Sequence, residues 1–160
     1  MRFVLISDIE GKKINIPASV VDSVDFVLIS GDITLGARSP KRAKREFSRL
    51  ASVFPPHVPV YFVPGNHDNP FLAEDQPFYP ENFSMIHNQV ISFNLAERSL
   101  NVRILGFGGA SMGIYNNFAF EEEEIFEHIN ELFKDHHIEA DMSAQNEIVI
   151  LMVHDPPFDT

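Results

Sequence analysis

The segment Gly65-Asn66-His67-Asp68 carries residue types that can do chemistry, and it lies directly behind the apolar run Val60–Val63. Asparagine and aspartate offer oxygen ligands, and histidine offers a ring nitrogen that binds metal or moves a proton. Asparagine is a poor metal ligand alone and histidine is common. The segment therefore gains weight only if further polar clusters join it.

Three other polar clusters follow apolar runs in the same way. They are Ser7-Asp8-Ile9-Glu10 after Phe3–Ile6, Ser30-Gly31-Asp32 after Phe26–Ile29, and His154-Asp155 after Ile148–Val153. Short apolar runs bounded by turn residues predict buried strands. Because ligands of open α/β sheets bind beyond the carboxyl ends of the strands, four such strands would bring all four clusters into one site.

Each cluster also has a plainer explanation. Asp8 and Asp32 taken singly fit turn caps after a strand, and His67 fits an ordinary turn histidine. The combination of four clusters favours metal binding instead. Mixed oxygen and nitrogen donors suit Mn, Fe or Zn better than Ca.

The order of these clusters resembles the calcineurin-like metallophosphoesterase family. The family pattern is Asp-x-His, Gly-Asp, Gly-Asn-His-Asp/Glu, a lone His, and Gly-His-x-His. The second, third and fourth blocks match here as Gly31-Asp32, Gly65–Asp68 and His154. The resemblance extends over essentially the whole chain and is strongest to a small archaeal and bacterial phosphoesterase branch.

The chain departs from the family pattern in two places. The first block has Asp8, but Glu10 stands where the family has histidine. The fifth block is absent from these 160 residues. We therefore expect residues 1–160 to form a single metallophosphoesterase-like domain that is C-terminally incomplete, without the final strands of the fold.

The resemblance implies a site for two divalent ions, with Mn favoured and Fe, Zn or Mg as alternatives. It assigns Asp32 as the bridging ligand and Asp8 to one ion. It assigns Asn66 and His154 to the other ion. Glu10 is left open, because glutamate can replace histidine as a ligand or can face solvent.

The implied function is hydrolysis of a phosphate mono- or diester by a hydroxide that two metal ions activate. His67 would face the substrate rather than a metal, as general acid for the leaving oxygen or as a stabiliser of phosphoryl charge. Asp68 would orient the imidazole and keep it protonated. The alternative is a catalytically impaired or non-catalytic module or fragment of this family. A nucleotide-binding switch is disfavoured, because no phosphate-cradling Gly-Lys-Ser/Thr loop is present.

Composition narrows the class of protein further. The 160 residues are 44% hydrophobic and contain 15 Phe and no Cys, which excludes disulfides, a thiol nucleophile and thiolate-bound zinc. No stretch approaches the roughly 20 apolar residues of a membrane helix, so we expect a cytoplasmic protein with no membrane partner. A net charge of -11 disfavours nucleic acid as a nonspecific partner.

Alternating strand and helix patterns predict an α/β fold with a largely parallel first sheet. Ser39-Pro40 should begin a helix that Pro55-Pro56 ends, and a second helix should span about 121–136, with its Glu run serving the helix start. Short strands at 84–86, 90–93 and 102–105, with turns at Asn88 and near Ser99, should form a second sheet. Helices outside two packed sheets give a four-layer α/β/β/α sandwich, which is also the family's fold.

Three further features carry weaker predictions. Half of the 12 Lys and Arg residues lie in 38–49, where a solvated surface is favoured over phosphate binding, except at Arg38 beside the Asp32 loop. Gly106, Gly108 and Gly109 should allow a tight loop beside the site. The remaining histidines should be surface or packing residues. A sheet edge exposed by missing strands would also offer a surface for a homo-oligomer.

Overall fold

The computed structural model describes residues 1–35, 39–73, 79–111, 117–138 and 146–155. In these residues two main sheets pack face to face, and a helix covers the outer face of each. The expected four-layer α/β/β/α order is confirmed. Arg38 lies outside the described residues.

The first sheet has four parallel strands in sequence order. They are β1 (Phe3–Ile6), β2 (Phe26–Ser30), β3 (Val60–Val63) and β4 (Phe83–Met85). β2 is buried along its whole length, with Val27 and Ile29 on the helix side and Phe26 and Leu28 on the side of the second sheet. Because both faces are covered, the strand reads as a continuous apolar run rather than an alternating one.

Two helices belong to the first layer, α1 (Ala18–Val21) and α2 (Pro40–Ala51). As predicted, α2 begins after Ser39 with Pro40 at its first position. Its apolar residues Phe47 and Leu50 are buried against the first sheet. The helix ends at Ala51, earlier than the predicted stop at Pro55, because the chain turns over residues 52–54.

The second sheet is mixed. Its strands are β5 (Gln89–Leu95), β6 (Leu100–Phe107) and β9 (Glu147–Val153), with β5 antiparallel and β9 parallel to β6. The short strands β7 (Ala110–Ser111) and β8 (Ala119–Phe120) pair with each other. Asn88 and Ser99 adopt left-handed backbone conformations before and after β5, which confirms the predicted tight turns.

The outer face of the second sheet packs against α3 (Glu122–Asp135). Ile125 and Ile129 are buried with Phe107 of β6. Glu121 is the N-cap, and its backbone N–H donates to the Glu124 carboxylate at 2.9 Å in a reciprocal capping box. The Glu run therefore serves the helix start, as predicted, rather than a metal.

Two strand assignments from the sequence are wrong. The run at 84–86 was expected in the second sheet, but β4 adds to the first sheet beside β3. Its backbone continues the parallel pairing there, with Phe83 opposite Val60. The strand before His154 was expected to share an edge with the first three strands, but β9 belongs to the second sheet.

The strands at the sheet edges include exposed apolar side chains. Phe3 and Leu5 on β1 are 41% and 61% exposed, and Leu151 on β9 is 41% exposed. Assembly of copies through such an edge stays a prediction. None of the helices in the described part of the chain has the length and apolar content needed to cross a bilayer.

The interface between the two sheets predicts the effect of truncating Phe26. Its side chain is fully buried, and its ring contacts the rings of Phe3, Tyr61 and Phe93. We expect Phe26→Ala to lower the free energy of unfolding by about 3–5 kcal/mol, measured by urea denaturation. The matched control is Phe126→Ala, because Phe126 is 54% exposed on α3 and its loss should cost less than about 1 kcal/mol. Equal losses in both variants would contradict this packing.

Candidate metal centre

The carboxyl ends of both sheets meet at one point. β1, β2 and β3 are parallel and end at the same edge of the first sheet, where the following loops carry Asp8, Asp32 and Asn66. β9 of the second sheet ends beside them and delivers His154. The two sheets together therefore bring all four predicted clusters into one site.

Two groups of side chains there can hold a metal ion. One is Asp8, Asp32 and His154, and the other is Glu10, Asp32 and His67. Within each group the ligand atoms all lie within 4.8 Å of one another. Asp32 belongs to both groups, which is the shared position that the family resemblance implies for a bridging carboxylate.

The hydrogen bonds of His154 show that this site fits a cation. Nδ1 lies 2.8 Å from the carbonyl oxygen of Ser30, so Nδ1 must carry the ring proton and donate it. In the neutral ring Nε2 is then an acceptor, yet it faces Asn66 Oδ1 at 3.2 Å and Asp32 Oδ1 at 3.5 Å. Three acceptors that converge need a proton or a metal ion between them, and carboxylate, amide and imidazole are all ligands of divalent transition metals.

The backbone around these ligands is unusual. Asp8, Glu10 and Asp32 have φ values of 55°, 49° and 52°, in the left-handed region that non-glycine residues seldom adopt. The loops after β1 and β2 hold each other in place, because Glu10 N–H donates to Asp32 O at 2.7 Å and Gly11 N–H to Ile33 O at 2.8 Å. Backbone strain of this kind collects at functional sites.

Two glycines allow the side chains to approach so closely. A Cβ on Gly31, which has a φ of 78°, would come within 2.5 Å of Cγ of the His154 ring. A Cβ on Gly65 would come within 2.5 Å of the Asp32 backbone nitrogen. The glycines of the second and third blocks are therefore needed for packing at the site.

His67 lies beside two carboxylates. Its Nδ1 is 3.1 Å from Asp32 Oδ2 and 3.4 Å from Glu10 Oε1, and its backbone N–H donates to Asp32 Oδ1 at 2.9 Å. This position was expected to face the substrate rather than a metal. The geometry serves either role, because Nδ1 can donate to the carboxylates or join them around an ion.

Glu10 is held at the site rather than extended into solvent. One carboxylate oxygen lies near His67, and the other accepts from Lys12 Nζ at 2.8 Å. The hydrogen bond and charge of Lys12 hold the pKa of Glu10 below its ordinary value. The ligand assignment of Glu10 stays a prediction, because Lys12 already neutralises part of its charge.

The orienting role expected for Asp68 stays a prediction, and the hydrogen bonds of its side chain lead to Thr34 and Gly65. Its Oδ1 accepts from Thr34 N–H at 2.7 Å and from Thr34 Oγ1 at 3.0 Å, and its Oδ2 accepts from Gly65 N–H at 2.9 Å. The side chain is fully buried, and burial raises its pKa to about 6 against the opposing effect of these donors. Asp68 thus ties the Gly65 loop to Thr34, while Asp32 and Glu10 lie against the His67 ring.

A helix of the first layer supports the site from behind. Glu46 of α2 is buried, pairs with Arg42 Nε at 2.8 Å, and accepts from Leu35 N–H at 3.3 Å. A Cβ on Gly11 would lie 2.6 Å from the Glu46 carboxyl carbon, so the loop after β1 packs directly on this carboxylate. Arg49 donates to the carbonyl of Gly11. α2 therefore positions the loops that carry Glu10 and Asp32.

A cavity of about 370 Å³ opens over the cluster. It is lined by Asp8, Asp32, Asn66, His67, Ala110, Ser111, His154 and Asp155. The Ser111 backbone N–H and hydroxyl both donate to Asp155 Oδ2, at 3.2 and 3.1 Å. The sequence predicted a loop beside the site after the three glycines, but it gave no signal for this contact between Ser111 and Asp155.

His87 supports that loop from its inner side. Its Nδ1 accepts the Gly108 N–H at 3.0 Å, and its ring packs near Phe107, Phe118 and Phe120. Burial lowers the pKa of His87 below its ordinary value of 6.5, and the nearby charge of His128 lowers it further. The predicted packing role is confirmed for this histidine.

Comparisons with known proteins show the family of this chain and a solved structure with a similar fold. The model of the family described as calcineurin-like phosphoesterase matches residues 1–160. Among solved structures, TT1561 of Thermus thermophilus is similar, with a TM-score of 0.59 and 15% identity. The similarity covers 93% of this chain and 66% of that chain, and at this identity it shows the fold alone. A search of curated proteins found no match.

The buried acceptor role of His87 predicts a pH dependence of stability. The unfolded chain takes up a proton on His87 at a higher pH than the folded chain does. The free energy of unfolding should therefore fall as pH decreases through the ordinary pKa towards the folded one, by at most about 1.4 kcal/mol per pH unit.

Asparagine can accept from Gly108 N–H without titrating, so His87→Asn should remove this part of the slope. Urea unfolding between about pH 5 and pH 8 measures it. His57→Asn is the control, because it makes the same replacement at an exposed histidine away from the Gly108 loop. An unchanged slope in His87→Asn would show that His87 does not titrate differently on folding.

Proposed function

Because this chain belongs to the calcineurin-like phosphoesterase family, we propose that it hydrolyses a phosphate mono- or diester with the help of divalent metal ions. The observation that carries the proposal is the convergence of ligand atoms from both sheets on Asp32. Carboxylates and imidazoles from four distant segments reach one cavity there. If Asp8 and Asp32 served only as caps of separate turns, their side chains would not need to meet at one point.

The ligands of the proposed ions are assigned by the family resemblance, although the distances also allow Asp8 and His154 to share one ion with Asp32. Asp32 would contribute to both ions, Asp8 to one, and Asn66 with His154 to the other. Glu10 would add an oxygen ligand beside Asp32, which favours a harder ion such as Mn over Zn. Divalent ions at such a site lower the pKa of water and neutralise charge on the phosphate.

The proposed role of His67 rests on its two ring nitrogens. Nδ1 lies against Asp32 and Glu10, whose oxygens can accept its proton. Nε2 is then the nitrogen available to the substrate, since His67 also lines the cavity. We assign His67, in the form with a proton on each ring nitrogen, as the group whose Nε2–H protonates the leaving oxygen or stabilises phosphoryl charge.

One observation favours a second candidate, a non-catalytic or impaired module of the same family. Lys12 Nζ lies 2.8 Å from Glu10 Oε2 and so competes with a metal ion for that carboxylate. If the ion pair persists, the ion next to Glu10 is held by fewer ligands. The two candidates differ in whether metal displaces Lys12.

The first test measures hydrolysis of an activated aryl phosphate with added Mn²⁺. We expect His67→Ala to lower kcat by about 10²–10⁴-fold, because it removes proton transfer, while calorimetry still shows metal binding. Asp32→Ala should abolish both, because it removes the shared ligand. His57→Ala should behave as the wild type. Full activity of Asp32→Ala, or equal hydrolysis in EDTA, would rule out the proposal.

The second test concerns Lys12. Lys12→Gln frees the Glu10 carboxylate, so we expect Mn²⁺ to bind roughly three- to tenfold more tightly by calorimetry. Lys13→Gln is the control, because it removes the same charge from the neighbouring position, where no ion pair with Glu10 forms among the described residues. If both variants changed the Mn²⁺ affinity equally, the effect would come from the net charge of the chain alone. If Lys12→Gln did not raise the Mn²⁺ affinity, Glu10 would not be a ligand of the ion.

A further inference from the structure

The charges of this acidic protein are segregated between its two outer layers. α2, on the first sheet, carries five cationic residues and one acid, and that acid is the buried Glu46. α3, on the second sheet, carries six acids and one lysine. Although the net charge of the chain is -11, the surface formed by α2 is therefore basic.

Part of this basic face is a stripe along α2. At 100° per residue, Arg42, Arg45 and Arg49 fall on one side of the helix, with Lys41 next to them. Like charges three and four positions apart repel each other and weaken a helix. Glu46 compensates Arg42, but Lys41 and Arg45 have no acidic partner among the residues that the structure describes.

The stripe leads towards the candidate metal centre. Arg49 donates to the carbonyl of Gly11, and the next residue, Lys12, is bound to Glu10. Lys12, Lys13 and Arg49 also share a cleft of about 70 Å³. The basic residues thus continue from α2 to the carboxylate beside His67, and we call them the basic track. It comprises Lys12, Lys13, Lys41, Arg42, Arg45 and Arg49.

We propose that the basic track binds the backbone of a nucleic-acid strand whose reacting phosphate lies in the cavity. This inference rests on the proposed phosphoesterase function and names its substrate class. The rise of α2 from Lys41 to Arg49 is about 12 Å, longer than one phosphate group, which favours a chain of phosphates.

The contacts are expected to involve phosphates rather than bases. The exposed residues of α2 include no aromatic side chain on which a base could stack. Arginine binds phosphate oxygens through paired donors, and each contact releases counterions from the strand. The acidic α3 lies on the opposite face and would repel the strand, so only one face of the molecule binds it.

The test measures binding of a fluorescein-labelled oligothymidylate of about ten nucleotides by fluorescence anisotropy. EDTA is present so that no metal-dependent cleavage occurs. We expect Arg45→Glu to weaken binding roughly tenfold. The slope of log K against log salt should fall by about 0.7 or more. Lys134→Glu is the matched control, because it changes the charge equally on α3 and should alter affinity less than twofold.

Three results would overturn the proposal. One is equal weakening by Lys134→Glu and Arg45→Glu, which would indicate net charge alone. Another is displacement of the strand by tripolyphosphate at equal phosphate concentration, which would indicate a small polyphosphate. The third is no binding of the oligonucleotide at low salt.

Lys41→Glu provides the same test if Arg45→Glu does not fold. Aryl phosphate hydrolysis measured in parallel separates the two proposals. Activity without strand binding overturns this inference alone, and strand binding without activity overturns the phosphoesterase proposal.

Discussion

The buried carboxylate of Asp32 is the group at which the two sheets meet. It is 2% exposed, accepts the backbone N–H of His67, and lies within 3.5 Å of ring nitrogens of His67 and His154. A buried carboxylate requires hydrogen-bonding partners or opposite charge. One histidine comes from the loop after β3 and the other from the end of β9, so the sheets must pack in one register for a cation between Asp32 and His154 to compensate the carboxylate.

This requirement extends to the loops behind Asp32. Gly31 and Gly65 leave room for His154 and for the Asp32 backbone, and buried Asp68 fixes the Gly65 loop to Thr34. On the other side, Glu46 of α2 packs against Gly11 and bonds to Leu35. The left-handed residues at the site are therefore held by hydrogen bonds from several elements, which offsets their backbone strain. α2 joins this support to the basic surface beside the site.

The sequence predicted the parts of the site that strand ends determine. Asp8, Asp32 and Asn66 follow short apolar runs, and parallel strands end at one edge, so their convergence follows from the strand pattern. His154 was also placed correctly at the site, although its strand lies in the other sheet. The ends of β1, β2 and β3 and the end of β9 all lie at the site. An apolar run predicts a strand, but it does not show which of the two sheets the strand joins.

The placement of β4, the partners of Asp68 and the bond between Ser111 and Asp155 depend on tertiary contacts that cannot be predicted from a single sequence. β4 has only three residues, too few for their pattern to show which sheet the strand joins, so its pairing with β3 is decided by packing. Asp68 lies next to His67 in sequence, but its side chain enters the interior and finds the donors of Thr34 and Gly65. The bond between Ser111 and Asp155 joins residues 44 positions apart with no shared motif.

The central claim is that the acceptors around His154 Nε2 enclose a divalent ion. An anomalous difference map from crystals soaked in Mn²⁺, collected at the manganese edge, tests this directly. We predict a peak in contact with Asp32 and Asn66 oxygens and with His154 Nε2, while Nδ1 keeps its bond to Ser30. A map with no peak there, and with Nε2 instead hydrogen-bonded to the Asn66 side chain, would contradict the account.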